Sequence, residues 1–306
     1  MEHPTQATGL AKIFFKPIIV FAHWFGAHFP ETLMHIRYYV RFHKSLNLDH
    51  PKTLNEKILY LSLRTDTTLW TRLTDKHAVR GWIKEKGLEE ILIPQYLYIK
   101  AGERLNPELL PDEGFVLKTT HGCGDVMIYQ DKSKFDVDEA MCSFAPNLKR
   151  SYGALEGGKH YMRIIPGLVA EKLIKNSVEE NKYSSSIIDY KFWCFNGEPH
   201  YCMVCSNRTK TSIELLVYDV AWNVHPEYLV ASKEHCIGKP MPKPKNYEAM
   251  LRICRILSRD FPCVRVDLYN LDGTIYFSEM TFTSFGGMMD YYTDEFQLLV
   301  GSMINL

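Results

Sequence analysis

Between Val264 and Thr281 the chain reads V-R-V-D-L-Y-N-L-D-G-T-I-Y-F-S-E-M-T, and no other stretch constrains the fold as much. Apolar and polar residues alternate on both sides of Asp272-Gly273, a dipeptide suited to the turn of a β-hairpin. Residues two apart share a face of a strand, so Arg265, Asp267 and Tyr269 point one way and Val264, Val266 and Leu268 the other. By the same count Phe277, Glu279 and Thr281 share a face of the returning strand. A three-residue loop, Asp272 to Thr274, sets Asp267 opposite Glu279, whereas a two-residue Asp-Gly turn breaks that parity. Two carboxylates and an arginine on one sheet face are costly if buried unpaired. They suit Mg²⁺, a hard cation that takes oxygen ligands, and without a cation the facing acids are expected to repel. A salt-bridge cluster on a wet sheet face is the plainer alternative.

At 306 residues the chain has room for two domains. Its 36 Lys and Arg balance 36 Asp and Glu, so no broad positive field favours nucleic acid. The eight cysteines follow no repeated framework and read as buried thiols in a reducing compartment, the cytoplasm. Cys202 and Cys205 point to opposite faces of an alternating segment, which argues against a shared metal. The most apolar stretch, residues 13 to 29, is interrupted by Lys16, Pro17, His23 and His28 and falls short of a membrane span. It is aromatic and basic, with Phe14, Phe15, Lys16, Phe21, Trp24 and Phe25 followed by Arg37, Tyr38, Tyr39 and Arg41. This composition fits either a helix docked on the protein's own core or a peripheral contact with a membrane.

Thr53 and Glu56 have capping-box spacing, which predicts a helix to about Leu63. A second helix is predicted from Thr74 to Gly87, with lysines in its last turn. Strand-like runs follow at 91 to 99 and 115 to 119, then a helix over 137 to 155 and another apolar run over 161 to 175. A hairpin over 187 to 205 turns at Asn196-Gly197. The prolines of G-K-P-M-P-K-P-K, residues 238 to 245, exclude helix and central strand there, and a helix is predicted over 246 to 258. The texture is α+β.

Lys118 ends the apolar run F-V-L-K and is followed by H-G-C-G-D, His121 to Asp125. Gly122 and Gly124 would let backbone N–H groups approach phosphate oxygens closely, although an ordinary solvent-facing turn has the same composition. The pattern is neither G-x-x-x-x-G-K-[ST] nor G-x-G-x-x-G. Cys123 has no paired base and reads as an inert thiol. Asp189 and Lys191 share a strand face with Trp193; Lys191 is placed either to reach a phosphate or carboxylate or to pair with Asp189 in solvent. His160, His200, His225 and His235 have no ligand spacing.

The motifs L-N-E-K (54 to 57), L-T-D-K-H-A-V-R (73 to 80), F-V-L-K-T-T-H-G-C-G (115 to 124), the Glu171 segment, D-Y-K-F-W-C-F-N-G (189 to 197), R-V-D-L-Y (265 to 269) and F-S-E-M-T (277 to 281) follow one another in the chain. In this order, over about Asn47 to Thr293, they resemble the TupA-like branch of the ATP-grasp proteins of bacterial surface-polysaccharide synthesis. The resemblance implies an ATP-grasp fold in which two α+β subdomains clamp ATP. A mostly helical aromatic region is then expected over 1 to 73, a lid subdomain over 74 to 175, and a metal- and substrate-binding subdomain over 176 to 306. It also implies that Lys76 and Lys118 are phosphate-side lysines, that His121, Gly122 and Gly124 belong to the lid loop, and that the backbone of Glu171, Lys172, Leu173 and Ile174 meets adenine. Asp267 and Glu279 match the Mg²⁺ carboxylates, and Arg265 the arginine that often steadies a phosphate or acyl phosphate. Thr281 departs from the Asn that many members carry there, which puts a second metal in doubt.

The activity implied is ATP-dependent ligation of a carboxylate to an amine through an acyl phosphate. Its substrates would be a carboxylate-bearing glycan or lipid-linked sugar and an amino acid or other amine, at the inner face of the bacterial membrane. Two rivals stand beside it: a glycosyltransferase using D-V-D at 136 to 138, and a non-catalytic ATP-binding subunit of a synthesis complex.

Overall fold

The computed structural model describes residues 9 to 150 and 152 to 306, with the side chains of 9 to 18 excepted, so the calls on Phe14, Phe15 and Lys16 lie outside it. Two helices lead, α1 (Gly9–His28) and α2 (Pro30–Phe42). Near the end of α1, Gly26 lies so close to the chain that a Cβ there would sit 2.1 Å from the Ala154 carbonyl oxygen. Met34 and Tyr38, one turn apart on α2, are buried with Leu46, Leu48 and Leu59. Phe21, Trp24 and Tyr39 are 61%, 49% and 60% exposed, so the aromatic region divides between core packing and open surface. Among the described residues no helix is long and apolar enough to cross a membrane.

Thr53 caps α3 (Leu54–Arg64) as its spacing predicts: its hydroxyl accepts the Glu56 N–H at 3.2 Å, and the Glu56 carboxylate accepts the Thr53 N–H at 2.9 Å. The helix expected from Thr74 to Gly87 starts only at Val79, as α5 (Val79–Glu85), and a helix that was not expected, α4 (Thr68–Thr74), ends where it was to begin. The physical reason is Asp75. Its backbone is extended, and its carboxylate accepts the N–H groups of His77 and Ala78 at 2.7 and 2.9 Å, so the chain breaks and restarts there.

Strands β1 (Gln95–Lys100), β2 (Glu113–Thr119) and β3 (Val126–Asp131) follow, of which β3 has no counterpart in the sequence reading. Helix α6 (Val137–Leu148) ends well short of 155. The D-V-D motif is accounted for here, because Asp136 caps α6 by accepting the N–H groups of Asp138 and Glu139 at 2.9 Å. After the single-turn α7 (Lys159–Met162), β4 (Gly167–Lys172) completes an antiparallel sheet of order β1-β4-β2-β3. This sheet and α6 have a core of their own, with Phe115, Leu117, Phe144 and Leu168 all buried.

Residues 173 to 188 cross to a second sheet, built from β5 (Asp189–Phe195), β6 (Glu198–Ser206), β7 (Ile213–Asp219), β8 (His235–Ile237), β9 (Cys263–Leu271) and β10 (Thr274–Thr281). Its order is β10-β9-β5-β6-β7-β8, antiparallel except for the β7–β8 pair. The Asn196-Gly197 turn appears where expected, both residues having positive φ. Helix α8 (Tyr247–Ser258) follows β8 and the proline-rich linker, and α9 (Asp294–Ser302) ends the fold. Phe192, Val266 and Leu268 share the larger core with Met250 and Leu257 of α8 and with Ile58 of α3, Trp70 of α4 and Trp82 of α5. Five cysteines are buried; Cys123, Cys142 and Cys236 are exposed, contrary to the uniform burial expected.

Candidate functional site

The hairpin of β9 and β10 sets the geometry. Asp272 and Gly273 have φ of 51° and 95°, the signature of a two-residue turn, and Leu271 pairs directly with Thr274. Such a turn alone would put Asp267 and Glu279 on opposite faces. A β-bulge at Ser278 restores the parity: Phe277 pairs with Leu268, whereas Glu279 pairs with Asp267 and Thr281 with Arg265. Phe277 therefore shares the buried face with Leu268 and not, as simple alternation predicts, the face of Glu279. On the other flank of β9, Lys191 of β5 pairs with Asp267 and Trp193 with Arg265.

Charge on this face alternates in sign. Arg265 donates from Nε to Asp267 Oδ1 and from Nη2 to Oδ2, both at 2.7 Å, a bidentate pair. The same Nη2 donates to Glu279 Oε1 at 3.0 Å and to the Thr281 hydroxyl at 3.1 Å, and Nη1 donates to Ser284. Lys191 Nζ bonds Asp267 Oδ2 and lies 2.5 Å from Asp189 Oδ2. Asp189 and Lys191 are buried, so this is no solvent-facing pair, and Asp189 Oδ1 is buried without a partner among the described residues.

Asp267 and Glu279 are electrostatically unequal. Asp267 is fully buried, and burial pushes its carboxyl up to about 6, with Arg265 and Lys191 opposing the rise and keeping it ionised at neutral pH. The Glu279 side chain is 40% exposed. Burial works against its charge too, but Lys191, Arg265 and Lys76 together hold it at about 2. The repulsion expected between facing acids is present, Asp189 and Glu279 both raising Asp267, but the interleaved Arg265 and Lys191 outweigh it. Burial likewise works against the charges of Arg265 and Lys191; Asp267 on the first, and Asp189 with Asp267 on the second, more than offset it.

The smaller sheet contributes the facing wall. The break at Asp75 places Lys76 in a turn, where its N–H donates to the Thr120 carbonyl at 3.0 Å and its Nζ to the Gly122 carbonyl at 2.6 Å. Burial lowers the Lys76 ammonium against the pull of Glu279, and Lys118 adds to the lowering, so these groups act on one region. Lys118 Nζ lies 2.5 Å from Glu171 Oε2, and Arg80 approaches the other oxygen at 3.8 Å. The Glu171 carboxylate is thus engaged by cations within the small sheet. The N–H groups of Lys172 and Leu173 bond the carbonyls of Pro94 and Gly114, and Ile174 lies in the segment that leaves this sheet for the other.

In the loop after β2, a Cβ on Gly122 would meet Asp125 Oδ2 at 2.1 Å and the Thr119 hydroxyl at 2.5 Å, and Gly124 has φ of 80°. Both glycines are required by the loop itself. Among the described residues no backbone carbonyl accepts the N–H of Gly122, Cys123 or Gly124. The His121 ring turns away toward the Asn147 carbonyl, 3.2 Å from Nε2, and its buried Nδ1 has no partner among the described residues.

Lys76, Lys118 and the free loop N–H groups offer what a polyphosphate needs. Glu279 has an exposed carboxylate beside the Thr281 hydroxyl, which donates to it at 3.1 Å, and this fits a hard cation. Asp267 has both oxygens taken by Arg265 and Lys191. Among the described residues no group of three or more His, Cys, Asp or Glu side chains is placed to hold a metal. Arg80, Ser284 and Asp189 complete the network, and Asp189 carried a signal in the sequence, its same-face spacing with Lys191.

The profile of the TupA-like ATP-grasp proteins matches residues 56–305. The chain belongs to the TupA-like ATP-grasp family. Its fold is accordingly the ATP-grasp fold, which is that of ligases, carried on α+β subdomains behind an N-terminal helical, aromatic region. No functionally curated protein matches it. Similar solved structures include a D-alanine–D-alanine ligase from Bacillus anthracis complexed with ATP, at 16% identity and a TM-score of 0.43, covering 76% of this chain and 61% of that one. A D-alanine–D-alanine ligase from Helicobacter pylori has 13% identity and a TM-score of 0.43, covering 83% and 67%. An L-amino acid ligase from Bacillus licheniformis has 14% identity and a TM-score of 0.39, covering 81% and 53%. The chain spans about three fifths of the length of the first of these.

Proposed function

We propose that this protein is an ATP-dependent carboxylate–amine ligase that works through an acyl phosphate and joins an amino acid or related amine to a carboxylate of a bacterial surface-polysaccharide precursor. The observation that carries this reading is the half-open Glu279 carboxylate ringed by Lys76, Lys191 and Arg265. Cations crowded around one open acid are arranged for a substrate whose phosphoryl charge shifts during reaction, and preorganised charge of this kind lowers the barrier to group transfer. No side-chain nucleophile is required: the acceptor carboxylate attacks the terminal phosphoryl group and releases ADP, and the amine then displaces phosphate and gives up a proton.

In this reading Lys76, Lys118 and the N–H groups of Gly122, Cys123 and Gly124 bind phosphate oxygens, with His121 bracing the loop against Asn147. The backbone of Glu171, Lys172, Leu173 and Ile174 borders the adenine. Glu279, Thr281 and Asp267 would hold Mg²⁺, whose charge neutralises phosphoryl oxygens. Arg265 and Lys191 offset charge on the acyl phosphate. The acceptor is a carboxylate-bearing glycan or lipid-linked sugar, met in the cytoplasm at the inner membrane face, where exposed Phe21, Trp24 and Tyr39 make a peripheral contact.

The test is mass spectrometry of products after incubation with ATP, Mg²⁺, a panel of amino acids and uronic-acid glycans. An amide product together with ADP is expected. Thermal stabilisation by UDP-sugars but not by ATP with Mg²⁺ would overturn the reading in favour of glycosyl transfer.

A further inference from the structure

The segment after the second acid, Ser284 to Gly287, is built around a conformation that its sequence does not favour. Phe285 has φ of 50° and ψ of 30°, and its side chain is exposed. A bulky residue in the left-handed region costs roughly 1 to 2 kcal/mol, a cost that glycine avoids. With about half of the ring exposed, burial and its edge contacts recover only part of that. Stability of the folded chain therefore does not account for phenylalanine at this position, and a strained side chain at the edge of a charged site points to a ligand.

The surroundings say what kind. The Phe285 ring has the His235 ring edge-on at 6.2 Å and the Tyr291 ring at 5.9 Å, and His235 and Tyr291 lie 4.9 Å apart. The platform is tied to the charged site through the adjacent residue, because Ser284 accepts from Arg265 Nη1. Its rim is polar: a Cβ on Gly286 would touch Glu156 Cβ at 3.2 Å, which puts a carboxylate side chain beside the platform. An aromatic face bordered by an imidazole and a carboxylate side chain matches a ring with an apolar C–H face and hydroxyls around its edge. A wholly apolar ring would leave the rim groups without partners.

We propose that Phe285, flanked by His235 and Tyr291, is the stacking platform for a pyranose, and that it holds the acceptor sugar beside Arg265. This rests on the ligase reading for its placement in the reaction but not for the binding itself. Saturation-transfer NMR with methyl β-D-glucuronide as the probe tests it on the full chain, with Phe285→Gly and Phe285→Trp as variants. Transfer to the ring C–H protons is expected with the wild type and with Phe285→Trp, together with at least a tenfold weaker Kd for Phe285→Gly. Phe285→Gly relieves the left-handed strain and should melt no lower than the wild type, so loss of binding cannot come from unfolding. Absence of transfer in the wild type, or transfer undiminished in Phe285→Gly, overturns the proposal. ATP affinity measured on the same samples separates the two ideas: a wild type that binds the glucuronide but not ATP refutes the ligase reading alone, and one that binds ATP but not the glucuronide refutes the platform alone.

Discussion

Removing the Arg265 guanidinium should destabilise the protein far more than removing both ends of its main ion pair. Arg265 is 7% exposed and bonds Asp267 twice, Glu279, Thr281 and Ser284. Arg265→Leu leaves Asp267, with no exposure to solvent, facing Lys191 alone. Breaking one side of a buried pair costs about 3 to 5 kcal/mol, whereas replacing both charges by apolar groups of similar volume is close to neutral. At roughly 2 to 4 °C per kcal/mol for a chain approaching this size, Arg265→Leu should lower Tm by roughly 6 to 20 °C. Arg265→Leu combined with Asp267→Leu should recover a large part of that loss, since Lys191 keeps Asp189 at 2.5 Å. Circular-dichroism melts without nucleotide decide it. A single variant that melts within about 1 °C of the wild type, or a double variant that loses as much as the two singles added, would refute the buried-network account.

Glu279→Gln should abolish ADP release across a Mg²⁺ titration yet shift Tm by no more than about 2 °C, because its 40% exposed side chain makes only the modest contribution of a solvated pair; wild-type turnover removes Glu279 from the site. Its Tm should not rise without Mg²⁺, since cations hold the carboxyl at about 2. Lys118→Ala should weaken ATP binding by about 10- to 150-fold, the loss of one charge-assisted contact of roughly 1.5 to 3 kcal/mol, and unchanged affinity in calorimetry counts against the role. His160 is fully buried, and burial, with Arg163 adding, lowers its imidazole to about 3. The stability this neutral ring contributes is fully present above the unfolded pKa near 6.5 and is lost as pH falls toward 3, at up to about 1.4 kcal/mol per pH unit; His160→Leu should flatten the Tm–pH curve over that window, and an unaltered slope would refute it. Phe21→Glu with Trp24→Glu should reduce sedimentation with anionic vesicles while leaving ATP binding intact, and unchanged sedimentation would end the membrane proposal.

How far the sequence discloses this site depends on whether a feature is local. The capping box at Thr53 and the Asn196-Gly197 and Asp272-Gly273 turns are set by neighbouring residues, and all three stand where the sequence places them. The break at Asp75 is local too, but its signal, one aspartate able to cap a new helix, is outweighed by the apolar period running through it. Strand β3 escaped because its apolar run, V-M-I-Y, is only four residues long and starts directly after the glycine loop, and half its residues are exposed. The bulge at Ser278 has no sequence signature, although it alone reconciles a two-residue turn with carboxylates on one face.

The unequal fates of Asp267 and Glu279 follow from a still less local fact, the order of strands. Both acids sit on hairpin arms of similar composition, and alternation treats them alike. In the sheet β9 is interior, flanked by β10 and β5, so Asp267 meets Lys191 on one side and Glu279 on the other and is sealed from solvent. Strand β10 is the edge, and Glu279 has a neighbour strand on one side only and stays open. An edge acid beside an interior arginine is available to a ligand without unpairing a buried charge, whereas Asp267 must exchange partners before it can bind one. That asymmetry makes Glu279 the residue on which activity should depend first, and Arg265 with Asp267 the pair on which the fold around it depends.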